Sequence, residues 1–243
     1  MDINVVNVYK CGQYDKCAQI LKSSNPQILK FMLFQLKEQD VLLLPQKALF
    51  LLEKRTLLIA DMHVGKAMHF RKSGMPLPAD ASERDFQVLT DLINRHQAQA
   101  VIFLGDLFHS HQNAEWTALE IFLNNHSTIR FALVPGNHDR FSARFCAELR
   151  LELLPENYEY GPFVLSHAPS ATPIGDLYQL CGHLHPGVAL RGKGRMQVTL
   201  PCFWFGAHTG VLPAFGNLTG LAVIAPKPED QIVAIVEGSC VEL

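Results

Sequence analysis

An α/β fold, a layered αββα sandwich, is predicted by three features of this sequence. Short apolar runs alternate with amphipathic helical patterns in the first half of the chain and then follow one another as strands in the second. Hydrophobic residues make up 48% of the 243 positions, enough for a sizeable core, while charged residues make up 18%, too few for wholesale disorder. Five of the apolar runs end in aspartate, asparagine or histidine. In open α/β sheets ligands bind beyond the carboxyl ends of the strands.

Residues 1–40 differ from the rest and are read as an N-terminal extension, with the main domain over 41–243. Asn25-Pro26 has the form of a helix N-cap followed by proline at the first helical position. Ile28, Leu29, Met32, Leu33 and Leu36 then recur at helical spacing. Residues 1–24 show only an apolar patch from Val5 to Val8, which fits a docked helix, an interaction arm or a segment ahead of a start at Met32. From Val41 the pattern changes. Val41 to Leu44, Ala48 to Leu52 and Thr56 to Ala60 read as strands, the last two as a hairpin, with turn signals at Pro45 and at Glu53 to Arg55. Asp80 to Gln97 reads as a helix with Phe86, Leu89, Leu92 and Ile93 on one face. Val101 to Leu104 and Ile129 to Val134 read as buried strands, and Ala114 to Asn124 and Phe141 to Arg150 as helices. Further strands are expected at Phe163 to Ser166, Tyr178 to Cys181, Val188 to Leu190, Met196 to Leu200, Leu221 to Ala225 and Ile232 to Val236.

Lys+Arg number 21 and Asp+Glu 23, a net charge of -2, which argues against holding nucleic acid by bulk positive charge but leaves room for a local basic patch. Cys11, Cys17, Cys146, Cys181, Cys202 and Cys240 are scattered without a CxxC pair, so a zinc ribbon or thioredoxin-type motif is not expected. The start, MDINVVNVYK, lacks a basic region followed by an apolar stretch, and the longest apolar runs are far too short to span a bilayer. The expectation is a cytoplasmic protein with reduced thiols and no membrane segment.

The chemistry sits at the ends of the strands. Leu57 to Ala60 ends in Asp61-Met62-His63, and Val101 to Leu104 in Gly105-Asp106-Leu107-Phe108-His109. Phe131 to Val134 leads into Gly136-Asn137-His138-Asp139, Phe163 to Leu165 into Ser166-His167, and Tyr178 to Cys181 into Gly182-His183-Leu184-His185. Carboxylate and amide oxygens with imidazole nitrogens suit Mn, Fe, Zn and similar divalent ions. On extended chain, residues i and i+2 point to one side, so both members of Asp61-x-His63 and of His183-x-His185 can reach one cluster. Two ions about 3.5–4 Å apart can hold a phosphate, lower the pKa of a shared water and stabilise an in-line displacement. Each fragment alone is weak, since Gly, Asn and Asp also favour turns. Their joint order and placement carry the reading.

These five motifs, in this order, resemble those of the calcineurin-like metallophosphoesterase superfamily over roughly residues 41–240. The resemblance implies an αββα sandwich of the metallophosphoesterase type with a binuclear centre. It implies that Asp61, His63, Asp106 and His185 bind one ion and Asp106, Asn137, His167 and His183 the other, with Asp106 bridging. It implies that His138 contacts the phosphate and acts as general acid, and that Asp139 orients His138. The stretch from Leu57 to Arg71 with Gly74-Met75-Pro76-Leu77-Pro78, and Gly105 to Ser110 followed by Asn113 to Trp116, is similar to the ligase-associated DNA damage response endonuclease family (PdeM). That narrower likeness implies DNA repair alongside an ATP-dependent DNA ligase and a helicase; residues 1–31 depart from its pattern.

The function expected is therefore a metal-dependent phosphoesterase with two divalent ions, manganese first and Fe, Co, Ni or Zn as alternatives, cleaving phosphodiester bonds in nucleic acid. A small-molecule phosphatase or nucleotide pyrophosphatase would use the same site. A binding protein on a degenerate version of the fold would have lost ligands or the acid, and here all are present. His109, Lys66 and Arg71 are candidate substrate contacts, with His69 and Lys72 nearby; a solvated charged face is the plain alternative. Arg191-Gly192-Lys193-Gly194-Arg195 reads as a hairpin turn able to touch a nucleic-acid backbone. Phe203-Trp204-Phe205 fits core packing better than base stacking, and His208 follows it within reach of the site. His96, His111 and His126 need no function. Ser166 lacks a nucleophile elbow.

Overall fold

The computed structural model describes residues 30–66, 81–108, 114–139, 143–191 and 197–243. Among the described residues the first sheet has seven strands in chain order: β1 (Met32–Leu36), β2 (Gln39–Leu44), β3 (Ala48–Leu51), β4 (Thr56–Ile59), β5 (Ala100–Leu104), β6 (Arg130–Val134) and β7 (Leu151–Leu153). From β1 to β4 the strands are antiparallel, and from β4 to β7 parallel. The connections explain the change. Tight turns at 45–47 and 52–55 suffice for antiparallel neighbours, whereas parallel neighbours need crossovers. Those crossovers contain α1 (Ala81–His96), α2 (Ala114–Asn125) and α3 (Ala143–Glu148).

Among the described residues the second sheet has nine strands: β8 (Asn157–Tyr160), β9 (Phe163–Ser166), β10 (Tyr178–Cys181), β11 (Pro186–Arg191), β12 (Gln197–Phe205), β13 (Thr209–Val211), β14 (Ala222–Val223), β15 (Gln231–Val236) and β16 (Ser239–Glu242). Its path is β14-β11-β12-β13-β10-β9-β8, with β15 on β12 and β16 on β15. The run β9-β10-β13 is parallel.

Side-chain alternation divides the core in two. Leu57, Ile59, Val101, Phe103, Phe131 and Leu133 pack with Phe86, Leu89, Leu119 and Phe122 of the helices. Leu58, Ile102, Leu104, Ala132 and Val134 point the other way and meet Phe163, Leu165, Leu180, Phe203 and Phe205 of the second sheet. Strands β4, β5 and β6 are thus covered on both faces, which is why they read as unbroken apolar runs. Phe145 and Cys146 place α3 with the same cluster as α1 and α2, so all three described helices lie on the seven-stranded sheet.

The structure departs from the sequence reading at the start. Met32–Leu36, expected as the end of a helix, is strand β1, and its pairing with β2 brings the sheet's edge ahead of Val41. Phe34 and Leu36 are buried while Leu33 and Gln35 are exposed, a period of two. Four further strands were not expected: β7, β8, β13 and β16. Among the described residues no helix is long and apolar enough to cross a membrane.

Candidate metal centre

The five polar strand ends converge. β4, β5 and β6 are parallel neighbours in one sheet, β9 and β10 in the other, and the loops that leave their carboxyl ends meet along one edge of the sandwich. Backbone hydrogen bonds tie the loops together: Asp61 N–H to Gly105 O at 3.3 Å, His63 N–H to Asp106 O at 2.9 Å, and Gly182 N–H to His167 O at 2.9 Å. A further loop closes over the first: Phe215 N–H donates to Ala60 O at 2.8 Å and Gly216 N–H to Asp61 O at 3.3 Å. Lys47 Nζ, on the turn between β2 and β3, donates in turn to Phe215 O at 3.1 Å.

The pairs at i and i+2 do not lie on extended chain. Asp61, His63, Asp106, His183 and His185 have φ of 52°, 52°, 47°, 69° and 47°. Such left-handed conformations cost roughly 1–3 kcal/mol each outside glycine and cluster at functional sites. Glycines make room beside them. Gly105, at φ 75°, could carry no Cβ without striking the His167 ring, and a Cβ on Gly182 would strike Asp61 and Ala60.

Two groups of donor atoms result. Asp61, His63 and His185 form one, and Asp106, His167 and His183 the other; within each group the ligand-type atoms lie within 4.8 Å of one another. Asp61 Oδ2 accepts from His183 N–H at 2.8 Å, while its buried Oδ1 has no hydrogen-bond partner and lies 3.5 Å from His185 Nε2. An orphaned carboxylate oxygen is costly in a fully buried residue and is what a cation would satisfy. In the second group His167 Nδ1 lies 3.1 Å from Leu104 O. A carbonyl can only accept, so Nδ1 carries the proton and Nε2 presents a lone pair. That Nε2 faces Asp106 Oδ1 at 3.5 Å and His183 Nδ1 at 2.9 Å. Converging lone pairs of this kind fit a divalent ion, and the donor set has the oxygen and nitrogen character of Mn, Fe or Zn sites.

Asn137 and His138 lie exposed on the turn after β6, beside Asp106. His138 N–H donates to Asp106 Oδ1 at 3.0 Å, and its Nε2 is 3.9 Å from Asp106 Oδ2. The Asp139 carboxylate accepts from the N–H groups of Phe108 at 3.0 Å, Leu107 at 3.3 Å and Gly136 at 3.0 Å. It clips the loop after β5 to the turn after β6, the turn that carries His138. Burial pushes the Asp139 carboxyl above its ordinary range; the three N–H groups oppose that shift and Asp106 adds to it.

Of the expected substrate contacts, Lys66 lies close to the centre. Burial lowers its pKa, and the charges of Asp61 and Asp106 work against that. His109 and Arg71 lie outside the described residues, as do His69, Lys72, His111, Lys193 and Arg195. His208 is not near the centre. It precedes β13, where its carbonyl accepts from Gln179 N–H, and the site lies beyond the opposite end of those parallel strands. Phe203 and Phe205 are buried, and Trp204 Nε1 donates to Asp230 Oδ2 at 2.8 Å, so this run is structural. Sequence reasoning missed the Lys47 support and the clip role of Asp139; a lone lysine after a proline turn gave no signal.

The profile of the calcineurin-like phosphoesterase family matches residues 54–204. Among solved structures, the Pseudomonas putida nuclease MPE matches with a TM-score of 0.74 and 28% identity, over 88% of this chain and 100% of that one. Yfce, a phosphoesterase from E. coli, matches with a TM-score of 0.38 and 14% identity, over 74% of this chain and 86% of that one. No curated protein matches.

Proposed function

This chain belongs to the calcineurin-like phosphoesterase family and is a metal-dependent phosphoesterase; we propose that it is a manganese-dependent endonuclease cleaving phosphodiester bonds of DNA. The observation that carries the reading is the pairing of two donor groups, Asp61/His63/His185 and Asp106/His167/His183, with an exposed imidazole beside them. The likeness to a nuclease along that protein's whole length supports nucleic acid as the substrate. The likeness of the first two motifs' flanks supports a repair setting beside an ATP-dependent DNA ligase and a helicase. The free thiols of Cys146, Cys181, Cys202 and Cys240 support a reducing, cytoplasmic compartment.

In this reading Asp61, His63, Asp106 and His185 would hold one ion, and Asp106, Asn137, His167 and His183 the other. The bound ions supply Lewis acidity toward the phosphate oxygens and toward water. His138, half exposed, gives a proton from its ring to the leaving alkoxide oxygen. Asp139 holds the turn that carries it. Lys66, with Arg71 and His109, contacts the phosphates of the strand.

The test is a chelated protein reloaded with Mn(II) and offered closed circular DNA, oligonucleotides, bis-p-nitrophenyl phosphate and nucleotides. Nicking of the closed circle, which has no ends, is the expected result. Turnover that survives metal removal would overturn the two-ion reading. Cleavage of nucleotides alone would place the protein with the small-molecule phosphatases or pyrophosphatases.

A further inference from the structure

The outer face of the nine-stranded sheet carries a buried amide that the chemistry above does not use. Gln179, on β10, is 3% exposed. Its Nε2 donates to Ser166 Oγ at 2.7 Å and to Ala168 O at 3.1 Å. Its Oε1 accepts from Ser170 N–H at 2.9 Å and from the Thr209 hydroxyl at 3.1 Å. The amide orientation is fixed by its partners, because Ala168 O can only accept and Ser170 N–H can only donate. Ser166 Oγ donates onward to Ala168 O at 3.1 Å.

Three of the four partners lie in residues 166–170, on both sides of His167. The imidazole itself points the other way. Phe163 and Leu165 of β9 face the inter-sheet core, Ser166 faces out, and His167 turns inward to reach Leu104 O of the first sheet. The amide therefore grips the chain just before and just after His167 from outside, while the ring is aimed within. Burying an amide is costly unless its hydrogen bonds are made, and a fully satisfied polar network specifies one geometry where an apolar side chain would not.

We propose that Gln179 is a positioning residue for His167, clamping the backbone on both sides of the imidazole so that Nε2 meets Asp106 and His183. The inference rests on the two-cation reading. Mn(II) binding to the full chain, followed by equilibrium dialysis and electron paramagnetic resonance, tests it. The wild-type chain takes up two equivalents; fewer than two would sink the two-cation reading itself. Gln179→Leu keeps one equivalent at wild-type affinity and binds the other about 10–100-fold more weakly, the usual effect of losing a partner behind a ligand. Thr209→Val removes a hydrogen bond on the side away from His167, so it lowers the melting midpoint without weakening Mn(II) binding. Two equivalents at wild-type affinity in Gln179→Leu would overturn the proposal. Should that variant fail to fold, Ser166→Ala decides by the same measure: it weakens one equivalent only, and unchanged binding of both refutes the role.

Discussion

Asp139→Asn separates two ways in which this carboxylate could serve His138. The structure gives it three backbone N–H donors, one on Oδ1 and two on Oδ2. An asparagine flipped to its better orientation keeps its oxygen toward Leu107 and Gly136 and turns its amide toward Phe108 N–H. That leaves one buried donor facing another donor, at a cost of about 1–3 kcal/mol, and weakens two charge-assisted bonds to neutral ones, about 0.5 kcal/mol each. Removing a charge that burial disfavours gives some of this back. The net loss is on the order of 1–3 kcal/mol, which for a chain of this size lowers the melting midpoint by roughly 3–10 °C. Turnover should fall on every substrate alike, because Asp106 and the His138 turn shift together. The assay is thermal unfolding with and without Mn(II), beside turnover of diesters with good and poor leaving groups. An unchanged midpoint with loss confined to poor leaving groups would refute the clip and restore a direct role at the His138 ring.

Other perturbations test neighbouring parts of the same account. His138→Ala should keep its bound metal but lose roughly 10²–10⁴ in turnover of alkyl diesters, the usual worth of a general acid; wild-type rates on those substrates would remove the assigned role. Gly182→Ala drives a methyl into Asp61 and Ala60, so metal analysis of the purified variant should find the Asp61/His63/His185 group empty, and full occupancy would show that the loop yields. Away from the site, His96 is held down to about 4 by burial, with Arg95 adding to it, against Phe50 and Phe31. Its folded pKa lies below its unfolded value near 6.5, so its contribution to stability is complete above that value and is lost as pH falls through about 4, by at most about 3 kcal/mol. Urea unfolding of His96→Phe beside wild type from neutral to acid pH should show wild type losing stability relative to the variant between about pH 6.5 and 4; parallel curves would contradict the burial argument.

The parallel strands and their polar ends were legible because β4, β5 and β6 are buried on both faces. A run that is wholly apolar and then abruptly acidic can only stop at an edge. β1 was not legible, since Met32, Leu33 and Leu36 fit a helical stripe as well as a strand, and only the pairing with β2 decides. β8 (Asn157–Tyr160) and β16 (Ser239–Glu242) carry mixed residues with little burial and give no period. Polar supports fail for another reason. Lys47 meets Phe215 across 168 positions of sequence. Asp139 could face either an imidazole or a row of N–H groups, and the letters are the same in both cases.

The conformation of the ligands themselves shows where chemistry overrides local preference. Aspartate and histidine enter the left-handed region more often than most residues, but far less readily than glycine. Three of the five left-handed donors are nevertheless His63, His183 and His185. A backbone optimised for its own sake would place glycine or asparagine at those positions. Strain of roughly 1–3 kcal/mol per residue persists only where the surroundings over-determine it. Here they do: His63 N–H is bonded to Asp106 O, His183 N–H to Asp61 Oδ2, and the His185 carbonyl accepts from Ala222 N–H at 3.0 Å. The loops of one donor group are therefore held by ligands of the other and by the strand beside β11. The motif letters, read one strand end at a time, could not express that mutual support.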